Sequence, residues 1–196
     1  MQSQAEKYKE KGNSEFKAGR YDAAITHYTS AIELKEDKAY YTNRAFCWFK
    51  LKKYQCCIDD CTFAINVDAK WAKAYARKAE ALLKLGKIQP SIDNYLQALD
   101  IESDNHQFRK GIEEAELARS YDKDLKQVLE EGDIEAAIRK VEILLESCED
   151  SNNLKLQLLE LWNKNGDMDK TLAKVKEYEG QPIAKLSKLQ FSHGQA

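Results

Sequence analysis

The chain has 196 residues, 43% hydrophobic and 33% charged, with a formal net charge of −2. That length holds a sizeable core, and that balance excludes a disordered chain. Two Pro and eight Gly among abundant Ala, Leu, Lys, Glu and Gln exclude collagen-like, mucin-like and all-β chains and predict helix nearly throughout.

Met1 to Lys7 leads straight into charge, which predicts no secretory leader. The longest apolar runs, such as Ala79-Glu80-Ala81-Leu82-Leu83, are far short of the roughly 20 residues a membrane span needs. The expected compartment is cytoplasmic, with the nucleus as an alternative, and no membrane partner is expected. Residues 1–100 carry 17 Lys/Arg against 13 Asp/Glu, and residues 101–196 carry 14 against 20. Neither half has a basic block, so nucleic acid is not expected as a partner.

A motif recurs along the chain. Gly19-Arg20-Tyr21-Asp22-Ala23-Ala24-Ile25 returns as Lys52-Lys53-Tyr54-Gln55-Cys56-Cys57-Ile58 and again from Gly86, Gly132 and Gly166. The starting points are spaced 33, 34, 46 and 34 residues apart, a 34-residue period with about 12 extra residues in one interval.

Each unit reads as two amphipathic helices around a tight turn. The first helix of unit one carries Tyr8 and Phe16 around small Gly12. Its second helix presents Tyr21, Ala24, Ile25, Tyr28, Ala31 and Ile32, three and four apart on one face. The pattern returns as Tyr54, Cys57, Ile58, Cys61, Ala64 and Ile65, and then as Ile88, Ile92, Tyr95, Ala98 and Leu99. The extra residues begin with helix-start chemistry at Ser103-Asp104-Asn105-His106. Phe108, Ile112, Ala115, Leu117 and Ala118 then predict an additional helix that caps the array and can run straight into unit four. From Glu179, with Gly180 and Pro182, a mobile tail is expected, with a short helix over Ile183, Leu186 and Leu189.

Small residues stand at the eighth position of a unit, an aromatic at the seventeenth, and Ala at the twentieth and twenty-seventh. This 34-residue helix–turn–helix resembles the tetratricopeptide repeat. The resemblance implies an all-α, right-handed superhelical solenoid of antiparallel helix pairs. It is specific over units 5–37, 38–71 and 72–105. Units 118–151 and 152–180 match by turn and period only, with Leu125 in place of a small residue and Lys155 where an aromatic is usual. The expected domains are a three-repeat domain with a capping helix over 1–118, two degenerate hairpins over 119–180, and the tail 181–196.

Lys9 and Asn13 are four apart and share one helix face, as do Lys73 and Arg77. Asn43 holds the matching position in unit two. In a stacked solenoid these five converge on one groove wall. Three cations and two amides form an acceptor-seeking surface whose complement is a pair of carboxylates.

The set resembles the two-carboxylate clamp of chaperone-binding tetratricopeptide domains, found in co-chaperones such as Hop, the ubiquitin ligase CHIP, the large immunophilins and the myosin and dynein assembly chaperones. By that resemblance, Lys9, Asn13 and Asn43 hold the main-chain carboxylate of a C-terminal Asp. Lys73 holds its side-chain carboxylate, and Arg77 supports the preceding backbone. The implied partner is the Glu-Glu-Val-Asp (EEVD) tail of the Hsp90 or Hsp70 chaperones. Phe16 and Phe46 are then candidates for the pocket of the ligand's Val, and Lys50 for an upstream acid. The second half is a candidate client-binding region. A general protein-binding scaffold, in which the five residues are incidental, is the alternative.

Cys47, Cys56, Cys57 and Cys61 are expected to pack as small hydrophobes; no CxxC pair argues for a metal, and five Cys (with Cys148), an odd number without a secretory signal, predict no disulfide framework. His27, His106 and His193 belong to no nucleophile motif, so neither catalysis nor a cofactor is expected. Asp59-Asp60 reads as solvated surface, and Trp48, Trp71 and Trp162 as packing residues.

Overall fold

The computed structural model describes residues 3–178. The expected tail 181–196, with its short helix, lies outside them. Ten α-helices and no strand occur among the described residues. They are α1 (Gln4–Lys17), α2 (Tyr21–Leu34), α3 (Lys38–Lys50), α4 (Tyr54–Val67), α5 (Ala72–Lys84), α6 (Ile88–Ile101), α7 (His106–Glu131), α8 (Ile134–Ser147), α9 (Asn152–Lys164) and α10 (Met168–Glu177). None of them is long and apolar enough to cross a membrane.

Local chemistry sets the helix ends. Side chains of Ser3, Asp37, Asp133 and Ser151 accept N-terminal backbone N–H bonds and start α1, α3, α8 and α9. Asn105 Oδ1 accepts from the N–H groups of Gln107 and Phe108 and starts α7. The turns inside the pairs use left-handed backbone at Gly19, Gly86, Gly132 and Gly166, with φ between 74° and 82°. Lys52 fills the equivalent place in the second pair at φ 57°, the only non-glycine residue in that region among those described.

The chain divides into two compact units. Among the described residues, the first holds 3–83 and 87–116, and the second holds 84–86 and 117–178. The extra helix and the start of the fourth repeat are one unbroken 26-residue helix, α7.

In the first unit α1 packs on α2, α2 on α3 and α3 on α4. The small repeat positions explain how closely the helices approach. Ala24, Ala31, Ala45, Cys57, Ala64, Ala79, Ser91 and Ala98 are all fully buried. At Gly12 a β-carbon would stand 2.6 Å from the Tyr28 ring, so only glycine admits that ring. In the third pair Ala72, Ala76 and Ala79 pack against Tyr95 and Ala98, and Phe108 of α7 covers that end. Burying each such large side chain stabilises by roughly 1.5–3 kcal/mol.

Two expectations are corrected here. Asp60 is not solvated: it is buried and takes a two-pronged hydrogen bond from Arg44, Nε to Oδ2 at 2.8 Å and Nη2 to Oδ1 at 2.7 Å. Arg44 Nη1 also donates to Thr29 Oγ1 at 2.8 Å, so this pair ties α2, α3 and α4 together. Cys56 is exposed, whereas Cys47, Cys57, Cys61 and Cys148 are buried. Burial pushes the Cys47 thiol up to about 12, which keeps it protonated and inert as a core residue.

In the second unit α9 packs on α8 and α10, with Val141, Leu144, Leu158 and Leu159 buried. Lys155 is buried as well, its ammonium donating to Asp150 Oδ1 at 2.7 Å and lying 5.6 Å from the Tyr178 ring. Its aliphatic stem is buried where the repeat pattern usually has an aromatic, while its charge reaches a partner.

Candidate functional site

The first helices of the three pairs, α1, α3 and α5, carry the candidate residues. α5 and much of α1 are built from strong helix formers, whereas aromatic-rich α3 starts on its Asp37 cap and is held by packing.

Asn13 on α1 is held by the core. The hydroxyl of Tyr28, itself 2% exposed, donates to Asn13 Oδ1 at 2.7 Å. Asn43 Nδ2 on α3 donates to the same oxygen at 3.4 Å. That oxygen is therefore an acceptor with two donors, and the Asn13 amide nitrogen keeps its two N–H groups for another acceptor. One turn earlier on α1, the Lys9 ammonium is paired with Glu6. The other Glu6 oxygen accepts from the Tyr40 hydroxyl at 3.1 Å. The Lys9 hydrogen bond, with help from Tyr40, holds the Glu6 carboxyl below the usual glutamate range even though burial opposes it.

Phe46 on α3 is the hub of the aromatic part. Its ring centroid lies 5.0 Å from that of Phe16, and Lys50 Nζ lies 5.1 Å from it. The Arg77 guanidinium of α5 lies 3.7 Å from the same centroid. Arg77 Nη1 donates to Glu80 Oε2 at 2.8 Å. Arg77 Nε is buried and has no hydrogen-bond partner among the described residues, an unmet donor of the kind that a ligand acceptor satisfies.

Lys73 stands one turn before Arg77 and is exposed. Its ammonium has no carboxylate partner among the described residues and lies 5.7 Å from the Trp71 ring. Trp71 is more than packing: its indole N–H donates to Thr42 Oγ1 at 2.9 Å, which joins the start of α5 to α3.

A cleft of about 330 Å³ opens between α3, α5 and the start of α7. Of the eight candidates, Asn43, Phe46, Lys73 and Arg77 line it. Asn13 reaches it through Asn43, and Phe16 and Lys50 through Phe46; Lys9 lies farther along α1. Glu80, Tyr95 and Gln107 also line the cleft, and sequence reasoning did not single them out. Glu80 was open to discovery, because it stands three residues beyond Arg77 on the same helix face. No group of acidic, His and Cys side chains suited to a metal occurs among the described residues.

The tetratricopeptide-repeat family profile matches residues 8–38 and 72–105. The chain is 34% identical over 116 residues to Heat shock protein STI1 of Saccharomyces cerevisiae, covering 58% of this chain and 20% of that protein. The solved first TPR of Spaghetti (RPAP3), bound to HSP90 peptide SRMEEVD, is 32% identical with a TM-score of 0.58, covering 59% of this chain and 93% of that one. The second TPR domain of human RPAP3, solved with HSP70 peptide SGPTIEEVD, is 33% identical with a TM-score of 0.54, covering 56% and 92%. The chain spans about a fifth of the length of the curated relatives it matches. The repeat spacing, the buried small positions and these likenesses lead to one conclusion: the chain belongs to the tetratricopeptide-repeat family.

Proposed function

We propose that this protein is a co-chaperone or adaptor that binds the acidic C-terminal EEVD tail of Hsp90, Hsp70 or both through a two-carboxylate clamp. The observation that carries the reading is the cleft itself: an amide pair fixed by Tyr28, beside Lys73 with no carboxylate partner and Arg77 with an unmet donor. Support also comes from related domains that were solved with such tails.

In this reading Lys9, Asn13 and Asn43 hold the terminal main-chain carboxylate. Lys73 takes the Asp side chain, and Arg77 the backbone before it. Phe16 and Phe46 flank the Val, and Lys50 meets an upstream acid. Charge-assisted hydrogen bonds contribute roughly 1.5–3 kcal/mol each. A few of them, less the cost of ordering the peptide, reach about −8 kcal/mol, a micromolar complex.

The reading assigns no catalytic step and places the protein in the cytoplasm or nucleus with its chaperone. Residues 1–118 form the tail-binding domain, and the helices over 119–180 are offered to a client or effector. Calorimetric titration of Lys73→Ala tests the assignment. Tail binding is lost while helicity is kept; unchanged affinity overturns it.

A further inference from the structure

We propose that Glu80 gives the groove an acidic subsite that favours a basic side chain, and disfavours an acidic one, about three residues before the ligand's C-terminus. The inference rests on the clamp reading above and concerns which residue the groove prefers upstream of the ligand's terminal Val-Asp.

Lys73, Arg77 and Glu80 lie four and three residues apart, so they follow one another along one face of α5. All three line the same cleft. Arg77 gives part of its charge to Glu80 through the 2.8 Å contact, and the Glu80 side chain is still 43% exposed. The cleft therefore has two ends of different character. Lys73 and Asn43 make one end cationic and donor-rich. Glu80, with Tyr95 near it, makes the other end anionic to neutral, and Arg77, already paired with Glu80, is the one other cation among the described residues that line the cleft.

Seven residues of α-helix rise about 10 Å. Three residues of extended peptide span about the same length. A ligand whose terminal Asp side chain meets Lys73 thus brings the third residue before its terminus beside Glu80. In an EEVD tail that residue is Glu, and two carboxylates then face each other across a half-open site. A Lys or Arg there pairs with Glu80 and leaves Arg77 to the ligand backbone. Glu80 is thus a specificity-determining residue, and the preferred tail has a terminal acid with a base three residues upstream.

The test is calorimetric titration of the full chain, wild type and Glu80→Gln, with free-acid peptides ending Met-Glu-Glu-Val-Asp and Met-Lys-Glu-Val-Asp. The wild type binds the Lys peptide about two- to five-fold more tightly, the range of a partly exposed ion pair. In Glu80→Gln that preference disappears or reverses. Equal affinity of the wild type for the two peptides, or a preference that Glu80→Gln leaves unchanged, overturns the subsite. If neither peptide binds either protein, the clamp reading itself has failed and the subsite falls with it.

Discussion

The Arg77 guanidinium rests 3.7 Å from the centroid of the Phe46 ring, so a cation of α5 is seated on an aromatic of α3. The same ring touches Phe16 of α1 and lies under Lys50. One side chain thereby couples the three helices that form the groove, and it fixes the plane in which Arg77 offers its donors.

Arg77→Lys keeps the charge and loses both the planar stack and the fork of donors. Affinity for an acidic tail is expected to fall about five-fold, close to the roughly 1 kcal/mol of a partly exposed cation–π contact. The far-ultraviolet circular dichroism should not change. Wild-type affinity in Arg77→Lys shows that only the charge matters.

Asn13 and Lys73 are expected to part company. Lys73 has no carboxylate partner among the described residues, so Lys73→Ala weakens tail binding and leaves thermal stability within a degree or two. Asn13→Ala also strands the buried Tyr28 hydroxyl, which costs about 1–3 kcal/mol of stability. Denaturant unfolding of the two variants beside their titrations separates the roles. Equal stability of the two contradicts the placement of Asn13 as part of the core.

Asp60→Asn leaves Arg44 largely buried without its counter-charge. The expected cost is about 3 kcal/mol in denaturant unfolding. A cost below half of that contradicts the burial of the pair and returns Asp60 to the solvated surface expected from the sequence.

Acid weakens the fold in a stated direction. Lys9 holds Glu6, Arg20 holds Glu15 and Lys38 holds Asp68 below their ordinary values of 4.5, 4.5 and 3.8. A carboxyl with a lowered folded-state value stabilises above its unfolded value and loses that contribution as pH falls through the folded one. The melting temperature should be level from pH 7 to about 5 and decline below about 4.5. Glu6→Gln should flatten part of the decline. A level melting temperature down to pH 3 contradicts the assignment.

Most of the fold was legible because the repeat constrains many positions at once. Small residues 33 and 34 apart announce close helix approach, and Ala24, Cys57 and Ser91, like Ala31, Ala64 and Ala98, pack without exposure at such positions. Lys52 shows where the pattern tolerates an exception, since a turn that wants glycine accepts a lysine at φ 57°. Of the candidate site, helical spacing picked out Lys9 with Asn13 and Lys73 with Arg77, and the repeat match added Asn43; Asn43, Lys73 and Arg77 line one cleft. Asp60 was not: its partner Arg44 lies on another helix, and no periodicity marks a pair formed across helices. Glu80 was overlooked because a carboxylate runs against the character of the wall around it. The unbroken length of α7 was left open because no Pro interrupts residues 106–131 to decide it.

The central claim is that the groove reads a free C-terminal carboxylate. The direct measurement is calorimetric titration with a peptide ending Met-Glu-Glu-Val-Asp as the free acid and as the C-terminal amide. The account predicts micromolar binding of the acid, weakened by salt, and at least a ten-fold loss on amidation. Equal binding of the two forms, or no binding of either, contradicts it and leaves the repeats as a scaffold for a different partner.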